Sequence, residues 1–145
     1  MKSALHPSGN QRAVLRAVDA NFNRAREALR VLEDISRFLV GNKSLTSRLK
    51  ALRHQMTQAL LKFPATYRQL LEARNSEGDV GKKSWIPDSR RSGIHALWIS
   101  NMKRAQEALR ALEEFSKAAA PRRSPEFQKI RFSLYELEKK SFRFF

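Results

Sequence analysis

The residues best suited to chemistry occur twice. Asn21, Arg24 and Glu27 are spaced three apart and return as Asn101, Arg104 and Glu107, eighty positions on. Residues three apart line up along one side of a helix. An amide can read a hydrogen-bonding edge, a guanidinium can clamp phosphate oxygens and a carboxylate can hold a divalent cation. The match extends further: of the sixteen residues from Asn21 to Ser36, ten are identical in Asn101 to Ser116, and six of those ten are polar. A shared preference for apolar residues cannot produce such a match.

A second candidate is the loop Arg74-x-x-x-Gly78-Asp79-x-Gly81-Lys82-Lys83. Gly78 and Gly81 would let backbone amides approach a phosphate, Asp79 could hold Mg²⁺, and Arg74 could neutralise phosphate oxygens. The same pattern also makes ordinary turns, and it matches neither a Walker A loop nor a protein-kinase glycine loop. Cysteine is absent and the three histidines, His6, His54 and His95, lie far apart in sequence. This leaves no thiolate and no expected zinc site, so Arg, Lys, carboxylates, amides and hydroxyls must carry any reaction.

Helices must position these residues. Apolar residues at helical spacing predict a helix over Ala20 to Val40, stopped by Gly41-Asn42. A second is expected from about Leu45 to Phe63, with Ser44 as its cap and Pro64 as its stop. A short helical piece near Thr66 to Ala73 leads into the loop at 74–88. A long helix is expected from about Ser89 to Ala119, ended by Pro121. The last should start at Ser124-Pro125-Glu126 and reach about Phe142. Leu49 to Arg53 echo Phe127 to Arg131 faintly, so the second helices also correspond. The expected fold is all-α, a single helical domain over 1–145 built from two repeated hairpins, about 19–63 and 89–142, with approximate two-fold pseudo-symmetry. Trp85 and Trp98 read as packing residues. The aromatic tail Ser141 to Phe145 should dock on the bundle or on a partner subunit.

With about 100° of rotation per residue, Asn21 falls inside the apolar stripe, Arg24 between Ile35 and Val31, and Glu27 at the edge of that side. Asn21, Arg24 and Glu27 thus form a polar line running off the core face, echoed by Asn101, Arg104 and Glu107. A core-facing polar group needs a partner or a ligand. The plainer alternative is that each Arg staples the bundle, paired with the Glu one turn on or with the other repeat. Arg30, Glu33 and Asp34 fall outside the stripe or flank it, where Arg30 with Asp34 and Glu33 with Arg37 would form surface pairs.

The chain carries 29 Lys plus Arg against 14 Asp plus Glu, a formal charge of +15. That balance favours phosphorylated or polyanionic partners. No apolar run reaches the roughly 18 residues of a membrane span, and residues 1–10 lack a signal-peptide core, so a cytoplasmic protein is expected.

Asp19 to Asp34, Ala73-Arg74 through Gly78-Asp79-Val80-Gly81, Asn101 to Glu114 and Arg131 to Glu138 resemble, in this order, the small helical domain often fused to the N-terminal side of thiamine phosphate synthase. Ser100 departs from the alanine more usual before that asparagine. The domain is a hydroxymethylpyrimidine phosphate kinase that also occurs alone. The resemblance implies ATP-dependent phosphorylation of 4-amino-5-hydroxymethyl-2-methylpyrimidine phosphate to the diphosphate, with ATP and Mg²⁺, and thiamine phosphate synthase as a partner. The roughly 200 or more residues of the synthase barrel are missing, so coupling to the thiazole should be absent. Under this reading Arg24, Arg104 and Arg74 clamp phosphates and Asp79 with Glu27 or Glu107 holds Mg²⁺. Asn21 and Asn101 read the aminopyrimidine edge or a phosphate oxygen. Two other readings stand beside it, a basic module for nucleic acid and an inert helical partner subunit.

Overall fold

The computed structural model describes residues 8–83 and 90–145. His6, Trp85, residues 84–88 of the loop and the expected helix start at Ser89 lie outside them. Among the described residues five α-helices follow in order: α1 (Gly9–Asp34), α2 (Lys43–Lys62), α3 (Tyr67–Ala73), α4 (Ile94–Ala119) and α5 (Ser124–Ser141). There is no strand among the described residues, and the architecture is the helical bundle that the periodicity predicts.

The first helix begins eleven residues before the predicted start at Ala20, because Ser8 and Gln11 close a reciprocal cap in which each side chain bonds the other's backbone N–H. At its end the chain widens into a π-helical turn, Ile35–Val40, and Gly41 takes a left-handed conformation at φ 70°. Asn42, rather than the expected Ser44, caps α2, its Oδ1 accepting from the Leu45 amide at 2.9 Å. The corner is fixed by Ser36, whose buried hydroxyl meets Thr46 Oγ1 at 2.9 Å and the Asn42 carbonyl at 3.2 Å.

α4 starts at Ile94, with Gly93 before it at φ 99°, so residues 90–93 are not part of the expected long helix. Ser124 does not cap α5 either. It lies inside the helix after a 3₁₀ turn at Pro121–Arg123, and its hydroxyl donates to the Glu113 carbonyl at 3.0 Å, tying α5 to α4.

α1 and α4 form the centre of the bundle. Residues at the start of α1 share a cavity wall with Ala118 and Ala119 at the end of α4, so the two run antiparallel. α2 packs on α1 and α5 on α4, and one continuous core joins them. Phe22 of α1 stands edge-on to Phe63 at 6.0 Å and to Phe127 of α5 at 5.4 Å, and each such side chain, fully buried, contributes roughly 2 to 3 kcal/mol. At the chain end Phe145 stacks on Trp98 at 4.8 Å and on His95 at 5.8 Å, so the tail docks on the bundle as its composition predicts.

One expectation fails instructively. Glu33 is not a surface partner of Arg37: it is 5% exposed and held by Arg53 of α2, at 2.7 Å to Nε and 3.4 Å to Nη2. Glu113, 3% exposed, is held in the same way by Arg131 of α5 and also by Arg110 at 3.2 Å. The residue spacing placed Glu33 on the flank of α1 correctly, but α2 covers that flank. Arg30 and Asp34 do pair on the surface, at 3.4 Å. Burial works to raise the Glu33 carboxyl, yet the hydrogen bond and charge of Arg53, with Arg30 and Lys50 further off, hold it below the ordinary carboxylate value.

Candidate active site

α1 and α4 leave a groove of about 650 Å³ between them, and both polar lines open into it. Its walls are Asn21, Arg24, Glu27, Ala28 and Val31 from α1, and Asn101, Arg104, Glu107, Ala108 and Ala111 from α4. Each residue of one wall has its counterpart eighty positions away in the other. Ala28 and Ala108 keep the floor open where a larger side chain would fill it.

The asparagines are buried at the groove's base and the arginines and glutamates are exposed along its sides. Both asparagines are held alike: Nδ2 of Asn21 donates to the Ala17 carbonyl and that of Asn101 to the Leu97 carbonyl, each at 2.9 Å. That bond fixes the amide and leaves its Oδ1 and second N–H for other partners. Arg24 makes one long hydrogen bond, Nη1 to Asn21 Oδ1 at 3.5 Å. Among the described residues none of Arg24, Arg104, Glu27 and Glu107 enters an ion pair within 4.0 Å. The bundle's stapling arginines are instead Arg53 and Arg131, which the sequence reading did not single out.

Arg74 does not line the groove and is already engaged. Its Nε and Nη2 donate to the two carboxylate oxygens of Asp19 at 2.8 and 2.9 Å. Asp19 is buried, two residues before Asn21 on α1. This bond, together with weaker attraction to Glu27 of the groove, raises the Arg74 guanidinium above its ordinary value. A side-on pair of this kind occupies two of five N–H donors and leaves three. Arg12 and Arg16 of α1 fasten the same segment, donating to the carbonyls of Glu72 at 2.7 Å and Asn75 at 2.8 Å.

The remaining loop residues do not line the groove. Asp79 Oδ1 accepts from the Gly81 amide at 2.8 Å, and Asn75 Oδ1 from the Gly78 amide at 2.8 Å. These are turns closed by their own side chains. A Cβ at Gly78 would come to 2.5 Å from the side-chain nitrogen of Asn75, so any larger residue there requires that side chain to shift. No three of His, Cys, Asp and Glu gather as a ligand set among the described residues. Glu27 and Glu107 on facing walls nevertheless suit Mg²⁺, which takes one or two carboxylates and completes its shell with water and phosphate oxygens.

A second cavity, about 440 Å³, lies where the start of α1 meets the end of α4, and no charged side chain lines it. No helix among the described residues is long and apolar enough to cross a membrane.

Residues 16–140 match the model of the ThiD2 family. The chain is 37% identical over 129 residues to a thiamine-phosphate synthase of Rhodopirellula baltica, 37% over 129 residues to one of Nostoc punctiforme and 38% over 127 residues to one of Synechocystis sp.. These matches cover 87 to 88% of this chain but 34 to 35% of each synthase, so the chain spans about a third of the length of the curated relatives it matches. No solved structure matches it. With 125 of its 145 residues inside the matched range, the chain belongs to the ThiD2 family.

Proposed function

We propose that the chain is a phosphotransferase of thiamine biosynthesis, moving the γ-phosphoryl group of ATP onto hydroxymethylpyrimidine phosphate. The observation that carries this reading is the α1/α4 groove, in which two arginines without ion-pair partners face each other from duplicated positions. Its context supports it, since the family region is shared with thiamine-phosphate synthases.

The reaction makes modest demands on side chains. A phosphate monoester is largely ionised near neutral pH, its second pKa being about 6, so its oxygen needs no strong base. That oxygen attacks the γ-phosphorus of ATP, the bond from this phosphorus to the β,γ-bridging oxygen breaks, and ADP leaves with the electron pair. The difficulty is bringing two polyanions together. Arg24 and Arg104, outside any ion pair among the described residues, would neutralise the converging phosphates from opposite walls, and Arg74, held by Asp19 and near enough to feel Glu27, would add positive potential from beside the groove. Glu27 and Glu107 would hold Mg²⁺, which supplies charge neutralisation between the phosphates when bound.

The test is direct. Protein purified away from other kinases, given ATP, Mg²⁺ and the pyrimidine monophosphate, should release ADP and form the pyrimidine diphosphate in equal amounts. Absence of turnover would remove the kinase assignment. Salt-sensitive binding of unrelated DNA or RNA without turnover would favour a nucleic-acid module instead.

A further inference from the structure

The groove is one site with two chemically matched ends, and we propose that each end takes the same ring system: the Asn21 end binds the adenine of ATP and the Asn101 end binds the aminopyrimidine of the acceptor. This rests on the kinase reading above and assigns its two substrates to named halves of the site.

The geometry points this way in three steps. Because α1 and α4 run antiparallel, the two polar lines run in opposite directions along the groove. Asn21 then lies across from the Ala111 end and Asn101 across from Val31, about ten residues or 15 Å apart along the helix axes. Arg24 and Arg104 lie one turn inward from each asparagine, so both sit nearer the middle. A pair of ligands with rings at the ends would therefore meet phosphate to phosphate between the two arginines, as transfer requires.

The two substrates also share an edge. Adenine and a 4-aminopyrimidine each present an exocyclic amine donor beside a ring-nitrogen acceptor. Asn21 and Asn101, pinned by the same bond to the carbonyl four residues back, each retain an acceptor oxygen and one N–H donor. That is the complement of such an edge, the pairing by which an asparagine reads adenine. The duplication of the protein thus mirrors a likeness between its two substrates.

One difference between the ends sets the assignment. Asp19, two residues before Asn21 on α1, anchors Arg74, which is near enough to feel the charge of Glu27 in the groove. The position of Asp19 in the second repeat is Ile99, which can anchor no guanidinium. The extra cation that the first repeat carries, Arg74, matches the more highly charged triphosphate.

The experiment compares Asn21→Ala with Asn101→Ala in steady-state kinetics, varying each substrate in turn. Asn21→Ala should raise KM for ATP about tenfold, the equivalent of about 1.4 kcal/mol of lost hydrogen bonding, and leave KM for the pyrimidine monophosphate within twofold. Asn101→Ala should do the reverse. Asn21→Asp and Asn101→Asp keep the acceptor and lose the donor, so they serve as variants of unchanged size should an alanine variant lose its helical circular dichroism. Substitutions that raise both KM values together, or neither, would overturn the proposal, as would the reversed pattern. If the wild-type protein binds ATP but turns nothing over, the kinase reading fails on its own. The adenine assignment is then judged by equilibrium titration with ATP and with ITP, whose ring carries a carbonyl in place of the amine. Wild type should prefer ATP about tenfold and Asn21→Ala should lose that preference; a preference retained in the variant would refute the assignment.

Discussion

Arg53→Met is the sharpest test of what holds the bundle together. Arg53 of α2 donates twice to Glu33 of α1, and the two side chains are 19% and 7% exposed. Removing the guanidinium leaves a buried carboxylate whose other cations, Arg30 and Lys50, act only at longer range. An orphaned charge of this kind costs about 3 to 5 kcal/mol, a large share of the 5 to 15 kcal/mol that a domain of this size has. At roughly 3 °C per kcal/mol the melting point should fall by on the order of 10 °C. Arg131→Met should cost less, about 2 to 3 kcal/mol, because Arg110 remains 3.2 Å from Glu113. Urea unfolding followed by circular dichroism measures both, with an unchanged m value showing that only stability moved.

Two controls separate an orphaned charge from lost packing. Replacing both partners, Glu33→Leu with Arg53→Met, should regain most of the loss, since an apolar pair leaves nothing unsatisfied. The second control is pH. In the wild type Glu33 titrates below its ordinary 4.5 in the folded state, so the pair's stabilisation is present above that value and is lost as pH falls through the folded-state pKa. In Arg53→Met the buried, unpartnered carboxyl titrates higher when folded than when unfolded. The gap between variant and wild type should therefore narrow as pH drops from 7 towards 4. A cost under 1 kcal/mol, or a gap that stays constant with pH, would refute the claim that this pair is a buried staple.

Arg24→Ala and Arg104→Ala should each lower kcat/KM for phosphoryl transfer at least a hundredfold while leaving urea midpoints nearly unchanged, because neither arginine is in an ion pair. Asp19→Asn should lower kcat/KM by about tenfold by loosening Arg74, and part of its effect should show as stability, since it breaks a two-point bond between α1 and the loop. Gly41→Ala should destabilise the α1/α2 corner by about 1 kcal/mol, measured by thermal melting, because φ there is 70° and a Cβ meets strain although no neighbour crowds it.

The duplicated polar residues were legible because duplication separates selection on polar identity from the shared demand for apolar residues. Rotation about one helix then sorted them, and it placed Asn21, Arg24 and Glu27 on the side where α4 packs. What it could not supply was the neighbour: a single helix wheel knows its own stripe but not which flank a second helix covers. Glu33 was lost to that limit, since α2 lies over it, and Asp19 was lost to a larger one, since its partner Arg74 is 55 residues away. Arg53 and Arg131 held the missing clue. They occupy matching places in the echoed second helices, as Glu33 and Glu113 do in the first, and two acid–base pairs that recur together have a reason to touch. The lines in the groove carry the complementary signature, a duplicated arginine with no acid within ion-pair distance among the described residues. Where a repeat conserves both charges of a pair across its own two halves, the pair explains itself. Where the duplicated cation has no ion-pair partner among the described residues, as at Arg24 and Arg104, the phosphotransferase reading supplies one, a ligand that would reach both walls of the groove.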